Sequence, residues 1–269
     1  MKLSFTKWVG TGNDFILFDF RRKKSFPTGK WAALAQKLCD RKRNIGGDGI
    51  LVLESSKGAD FRMRIFNPDG SEAEMCGNGS RCVAAHVAGG KNKDLVFDTL
   101  AGRLEARVRK DVVKVRLMQP HSFQNGIALD IGGKSYSVHS ITVGVPHAVI
   151  FADDLEGIDV ERLGEKVRNH SYFSPRGTNV DFVKAEGNNS IALRTYERGV
   201  EGETLACGTG AVASALVTAL LKQFSSPVNA LTKGGDRLKI YFRREGETFK
   251  DVYLEGKVLR VFEGSVKNV

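Results

Sequence analysis

The sequence predicts an α+β chain of two similar domains, each rich in strands and each holding one buried helix. Three observations point there. Strand-like alternation recurs along most of the 269 residues, as in Phe61, Met63 and Ile65 set between Arg62 and Arg64. Helical patterns are few. A Cys-Gly-x-Gly turn leading into an apolar helix occurs twice, at Cys76 and at Cys207.

Taken in order, residues 14–20, 50–54, 61–65, 95–99, 113–117, 178–184, 190–196, 237–242 and 258–262 read as strands. Gly132-Gly133 and Gly187-Asn188-Asn189 read as turns between strands. Thr28 is placed to cap a helix carrying Trp31, Leu34, Ala35 and Leu38 on one face, and residues 159–169 form a second surface helix. The helices over 77–88 and 208–221 differ in kind, because each starts directly after a cysteine. The second is apolar nearly all round, the mark of a helix enclosed by its own domain.

Those two helices belong to an internal repeat. Arg64-Ile-Phe-Asn67 leads through a polar loop to Cys76-Gly-Asn-Gly79, and Arg194-Thr-Tyr-Glu197 leads through a similar loop to Cys207-Gly-Thr-Gly210. Two copies of strand, loop, cysteine, glycine turn and helix imply two similar domains with a junction near 118–124.

Composition narrows the classes. Hydrophobic residues make up 41% and charged residues 27%, which excludes a disordered chain. The longest nearly apolar run, 211–221, is shorter than the roughly 18 residues of a membrane span. The opening residues carry no apolar stretch, so no secretory signal and a cytoplasmic location are expected. Lys and Arg number 41 against 31 Asp and Glu, a net charge of +10. That excess is split among short clusters (Arg21-Arg22-Lys23-Lys24, Arg41-Lys42-Arg43, Arg243-Arg244) without interleaved aromatics, a poor match to a nucleic-acid surface. Four cysteines without closely spaced pairs form neither a disulfide framework nor a zinc site, so free thiols are expected.

A cysteine at a helix N-terminus sits among unpaired N–H groups at the positive end of the helix dipole. The expectation is a stabilised thiolate with a lowered pKa. The glycines let a ligand approach the backbone, and the N–H groups can hold a carboxylate. Each copy thus reads as half of a site, an anion cradle with an acid–base sulfur beside it. Facing halves across a cleft could invert a carbon centre, one sulfur removing a proton and the other supplying one. An α-amino acid fits this logic, its carboxylate held by the helix starts as charge develops. Cys39 and Cys82 read as buried filler.

With these motifs in place, the sequence resembles the diaminopimelate epimerase family along essentially its whole length. The likeness runs through Gly10-Thr-Gly-Asn13-Asp-Phe15, Asn44-Ile-Gly-Gly-Asp48-Gly49, Arg64-Ile-Phe-Asn67-Pro-Asp-Gly70, Met75-Cys-Gly-Asn-Gly79, Pro146-His147, Thr178-Asn179-Val-Asp-Phe182, Tyr196-Glu-Arg-Gly199 and Ala206-Cys-Gly-Thr-Gly210. It implies a cofactor-independent isomerase of lysine and peptidoglycan-precursor synthesis. The implied reaction interconverts LL- and meso-diaminopimelate with no pyridoxal phosphate and no metal. It implies domains over 1–118 and 119–261, each a curved mixed β-sheet or barrel around a central helix, with a final strand at about 262–269 returning to the first. A homodimer is implied, with Phe262 at its interface, and neither nucleic acid nor membrane as partner.

Residue roles also come from the resemblance. Cys76 and Cys207 match the acid–base pair. Asn13, Asn67, Asn179 and Arg198 match residues that bind the substrate's polar groups, and Gly77, Asn78, Gly208 and Thr209 match the helix starts that hold the reacting carboxylate. Glu197 matches a residue at the substrate amino group that influences catalysis, and His147 a histidine close to the second cysteine. Two positions depart from the pattern. Val145 stands where many members have Asn before Pro-His, and Gly49 where some have Gln. Proline racemase-like enzymes are the nearest rivals, but their first motif reads Met-Cys-Gly-His rather than Met75-Cys-Gly-Asn78. Isomerases of the phenazine type lack the cysteine pair.

Overall fold

A computed structural model describes residues 2–22 and 29–267. Thr28, and Lys23 and Lys24 of the first basic cluster, lie outside the described residues. The chain separates into two compact units, 2–115 with 256–267, and Arg116–Glu255.

In the first unit the order is β1 (Lys2–Gly10), β2 (Asn13–Asp19), α1 (Lys30–Leu38), β3 (Gly49–Glu54), β4 (Phe61–Phe66), β5 (Glu72–Ala73), α2 (Gly77–Ala88), β6 (Lys93–Thr99), β7 (Gly102–Arg109) and β8 (Val112–Arg116). The second unit runs β9 (His121–Ile131), β10 (Lys134–Val143), β11 (Val145–Phe151), α3 (Val160–Arg168), β12 (Asn179–Gly187), β13 (Ser190–Glu197), β14 (Gly202–Thr204), α4 (Gly208–Leu221), β15 (Val228–Leu231), β16 (Arg237–Glu245) and β17 (Thr248–Lys267). From β1 to β8 and from β10 to β17 the elements follow in the same order, so the repeat seen at the cysteines extends through both units.

The first unit is a mixed sheet that closes on itself. Its strands pair in the order β17, β1, β2, β3, β4, β6, β7, β8, and β8 pairs back with β17. Only β2–β3 and β4–β6 are parallel in this series; the first is bridged by α1 and the second by α2. The second unit repeats the plan as β9, β10, β11, β12, β13, β15, β16 and the first part of β17. Its parallel pairs, β11–β12 and β13–β15, are bridged by α3 and α4.

Each sheet wraps its own helix. α2 packs against β1, β2, β3, β4 and β7, and α4 against β10 to β13, β15 and β16. That enclosure explains why α4 is apolar on every side: Ala211, Val212, Ala213, Ala215, Leu216, Val217 and Ala219 are all fully buried. The other two helices lie outside their sheets and bury one stripe each. α1 presents Trp31, Leu34, Ala35 and Leu38 to a core with Phe18, Ile50 and Phe66. Gly29 holds its N-cap position with no side-chain bond. α3 is capped by Asp159, which accepts from the Arg162 N–H at 3.0 Å, and lies over Tyr196, so close that a Cβ on Gly164 would sit 2.4 Å from it.

Candidate active site

The same local device sets both cysteines. In the first unit, Arg64 grips Glu72 through two bonds, Nε to Oε1 at 2.7 Å and an η nitrogen to Oε2 at 2.8 Å. In the second, Arg194 grips Glu203 at 2.6 and 2.8 Å. Each forked pair ties a strand to the short strand after its polar loop and delivers the chain to the cysteine. The arginines that mark the sequence repeat are therefore structural clamps.

Cys76 is the N-cap of α2 in extended backbone, and its Sγ accepts from the Gly79 N–H at 3.4 Å. Cys207 is the N-cap of α4, also extended, and its Sγ accepts from the Gly210 N–H at 3.4 Å. A sulfur takes the capping role usually filled by a serine or aspartate oxygen, so each sits where the first-turn N–H groups converge. Cys76 is half-buried and Cys207 buried. Cys39 and Cys82 are buried too, and burial pushes their thiols up to about 11 and about 12.

Around Cys76 the structure gathers Gly77, Asn78 and Asn13. The buried Asn78 amide donates to the Thr11 carbonyl at 3.2 Å and to Asn13 Oδ1 at 2.7 Å, and Asn13 Nδ2 donates to Asp48 Oδ2 at 3.1 Å. Behind them lies Arg81, fully buried. Its guanidinium donates to the Gly77 carbonyl, Thr11 Oγ1 and Asn78 Oδ1. Gly10 admits this helix start, since a Cβ there would fall 2.9 Å from Cys82 Sγ and 3.0 Å from the Asn78 carbonyl. Asn67 follows β4 and donates to Ser71 Oγ at 3.0 Å. At Gly49 a Cβ would lie 2.8 Å from the Phe66 carbonyl, so backbone crowding excludes a side chain there.

Around Cys207 the gathered side chains include a buried histidine and a buried acid. His147 and Asp181 are fully buried, and His147 Nδ1 lies 2.8 Å from Asp181 Oδ2. Asp181 Oδ1 accepts from the Thr195 hydroxyl at 2.8 Å. Thr209 Oγ1 is 3.5 Å from the Cys207 sulfur. Asn179 lies beside His147 in the parallel β11–β12 pair; it donates to the Pro146 carbonyl at 3.1 Å and accepts the Arg198 N–H at 2.9 Å. Glu197, Asn179 and Arg198 thus meet at one end of β13. Val145, at the start of β11, is half-buried and pairs with Val143.

The lowered pKa expected of a helix-cap thiol is not found at Cys207. Burial, then the negative charges of Glu197 and Asp181, push its thiol well above the ordinary range, and the Thr209 hydroxyl and Gly210 N–H offset this only partly. The helix N-terminus is present, but desolvation and two carboxylates outweigh it.

Sequence reasoning did not single out Asp181, Thr195 or Arg81. The available signals were an acid set between buried Val180 and Phe182, and an arginine inside a helix otherwise destined for burial. Phe262 lies on β17, 45% exposed, edge-on to Phe5 at 5.9 Å and flanked by exposed Val261 and Leu259. Among the described residues no group of three or more His, Cys, Asp or Glu is placed to hold a metal ion, and no helix is long and apolar enough to cross a membrane.

Solved structures share this two-unit fold. A Bacillus anthracis phenazine biosynthesis protein of the PhzF family superposes with a TM-score of 0.77 at 16% identity, covering 99% of both chains. A hydroxyproline epimerase from Agrobacterium vitis gives 0.72 at 16% identity, covering 98% of this chain and 91% of its own. The architecture therefore defines the class, the fold shared by these two proteins. Within it, a family model described as diaminopimelate epimerase matches residues 5–121 and 139–261. Diaminopimelate epimerases of Hydrogenobaculum sp. (strain Y04AAS1) and Aquifex aeolicus (strain VF5) are 43% and 41% identical, covering 96% and 97% of both chains. The chain belongs to the diaminopimelate epimerase family.

Proposed function

We propose that this protein interconverts LL- and meso-diaminopimelate by proton transfer through Cys76 and Cys207, with no cofactor. The observation that carries the reading is the duplicated cap: in both units a cysteine sulfur accepts the N–H three residues on, at 3.4 Å, at the start of an enclosed helix. Epimerisation needs a base on one face of the α-carbon and an acid on the other, and a thiolate with a thiol supplies both. The substrate carboxylate takes the N–H groups at Gly77-Asn78 and Gly208-Thr209, which stabilise the charge that forms as the α-proton leaves. Asn13, Asn67 and Asn179 bind polar groups of the substrate, Glu197 the reacting ammonium and Arg198 the distal carboxylate. His147 serves the second cysteine. The same reading places the enzyme in the cytoplasm as a homodimer with Phe262 at the interface, acting on a free small molecule rather than on nucleic acid or membrane.

Cys76→Ala and Cys207→Ala are each expected to abolish epimerisation of LL-diaminopimelate, whereas Cys39→Ala and Cys82→Ala retain most of it. Near wild-type turnover by either of the first two rejects the two-sulfur mechanism.

A further inference from the structure

The two halves differ in the turn that follows the clamp arginine. In the first unit Glu72 follows Arg64 by 8 residues, and in the second Glu203 follows Arg194 by 9. The second turn, between β13 and β14, is thus one residue longer, and it is the turn that presents Arg198. The first closes with the Asn67 N–H on the Ser71 carbonyl at 2.8 Å, and its left-handed residue is Gly70 (φ 88°). The second closes with the Glu201 N–H on the Glu197 carbonyl at 2.8 Å and has two left-handed residues, Gly199 (φ 94°) and Glu201 (φ 56°). Glycine adopts that backbone freely, whereas glutamate is disfavoured there, so the hold on residue 201 comes from its side chain.

We propose that Glu201, gripped by Arg168, is a positioning residue that braces this turn and aims the Arg198 guanidinium at the distal carboxylate of the substrate. Arg168 is the last residue of α3, a helix fixed to the sheet through buried Val160 and Val167. Its Nε reaches both Glu201 oxygens, at 3.2 and 3.1 Å, and Nη2 donates to Oε1 at 2.9 Å. The same Oε1 accepts the Gly199 N–H at 2.9 Å, so one carboxylate ties the helix end to the backbone directly after Arg198. The Arg198 N–H goes to Asn179 Oδ1 at 2.9 Å. The peptide groups on both sides of the Arg198 α-carbon are therefore held. Its guanidinium, with one long bond of 3.4 Å to the Arg176 carbonyl among the described residues, keeps other donors for a ligand. Arg168 also meets the segment that supplies that carbonyl, since a Cβ on Gly177 would fall 1.8 Å from Arg168 Nη1. Glu197 does not depend on the brace, because the β13–β14 ladder sets its place opposite Gly202. The Arg168 and Glu201 side chains are 18% and 45% exposed, so as an isolated ion pair they add little stability, and what they supply is geometry.

This rests on the assignment of Arg198 to the distal carboxylate, and its test separates binding from chemistry. Steady-state kinetics on LL-diaminopimelate are measured for Glu201→Gly, Glu201→Gln, Arg168→Met, Arg198→Met and the Glu201→Gly, Arg198→Met double variant, with urea unfolding of each. Glycine suits the left-handed backbone better than glutamate, so Glu201→Gly keeps or raises the wild-type unfolding midpoint while removing the brace. Its KM is expected to rise about tenfold with kcat within about twofold, the pattern of lost binding without lost chemistry. Arg168→Met behaves alike, and Glu201→Gln, which keeps an oxygen for Gly199 and Arg168, rises only about threefold. In the Arg198→Met background Glu201→Gly adds nothing, because the brace acts only through that guanidinium. An unchanged KM in Glu201→Gly, a loss confined to kcat, or a Glu201 effect that persists undiminished without Arg198 overturns the proposal. So does a Glu201→Gly protein that loses stability in step with activity, which shows a purely structural pair. An insensitive Arg198→Met rejects the distal assignment and the brace together, whereas a sensitive Arg198 with an insensitive Glu201 rejects the brace alone.

Discussion

Gly210→Ala tests how tightly the second cysteine is built against its carboxylate. The added Cβ would lie 2.3 Å from Asp181 Oδ1, whereas ordinary contact begins at 3.4 Å. The carboxylate must therefore retreat by about 1 Å. That movement stretches its 2.8 Å bonds to His147 and Thr195 beyond useful range. Hydrogen bonds to a charged group contribute about 1.5–3 kcal/mol each, so losing both costs roughly 3–6 kcal/mol. Replacing glycine in a helix returns up to about 1 kcal/mol. The net expectation is a loss of about 2–5 kcal/mol in urea unfolding. Displacement on this scale beside a reacting group lowers kcat/KM by about a hundredfold. Gly79→Ala is the internal control. Its Cβ would meet the flexible ends of Leu51 at 3.0 Å and Met63 at 3.3 Å, which can give way, so its stability changes by no more than about 1 kcal/mol. Equal losses in the two variants, or a fully stable and active Gly210→Ala protein, would show that the Asp181 carboxylate does not hold this helix start.

Arg198→Met should lower kcat/KM for diaminopimelate by about 2–5 kcal/mol, or roughly 30- to several-thousand-fold, and spare any activity on lysine or proline. Among the described residues its guanidinium makes one long bond, 3.4 Å to the Arg176 carbonyl, which leaves donors for a distal carboxylate. Equal losses on all substrates would move Arg198 to the reacting centre or the fold. Acid stability supplies another test. Burial raises the Asp14 carboxyl, but bonds to Arg41 and Lys7 outweigh it and hold the group at about 2, below its ordinary 3.8. Because the folded value is depressed, the stabilisation is present above about pH 4 and fades as pH falls through about 2. Asp14→Asn should therefore flatten the acid-unfolding profile in that window, and an unchanged slope contradicts the assignment.

The halves of the site were legible because chemistry and local geometry coincide there. A cysteine directly before Gly-x-Gly leaves few alternatives to a helix cap, and both helices begin at the residues the pattern predicts, Gly77 and Gly208. Strands such as β4 and β13 alternate cleanly because one face meets a helix. β1 was hidden by a buried lysine, Lys7, which pairs with Asp14 at 2.6 Å and breaks the apolar run. β9 was hidden by exposure, since most of its side chains meet solvent and carry no hydrophobic period. The charge environment of Cys207 was illegible for a different reason. Asp181, Glu197 and Cys207 are separated in sequence, and only the register of β12 and β13 brings their charges to one helix start. The helix dipole is local to the sequence around Cys207, whereas these carboxylates reach it only through the fold.

In the two-cysteine mechanism proposed above, one sulfur removes the α-proton and the other returns a different one. Incubating the protein with LL-diaminopimelate in heavy water, and reading deuterium in product and residual substrate by mass spectrometry or proton NMR at early conversion, distinguishes this from transfer by a single group. One deuterium is expected at the inverted α-carbon of the meso product, with the remaining LL substrate still carrying protium. A meso product that retains the original proton would show a single group working on both faces and would contradict the two-cysteine mechanism.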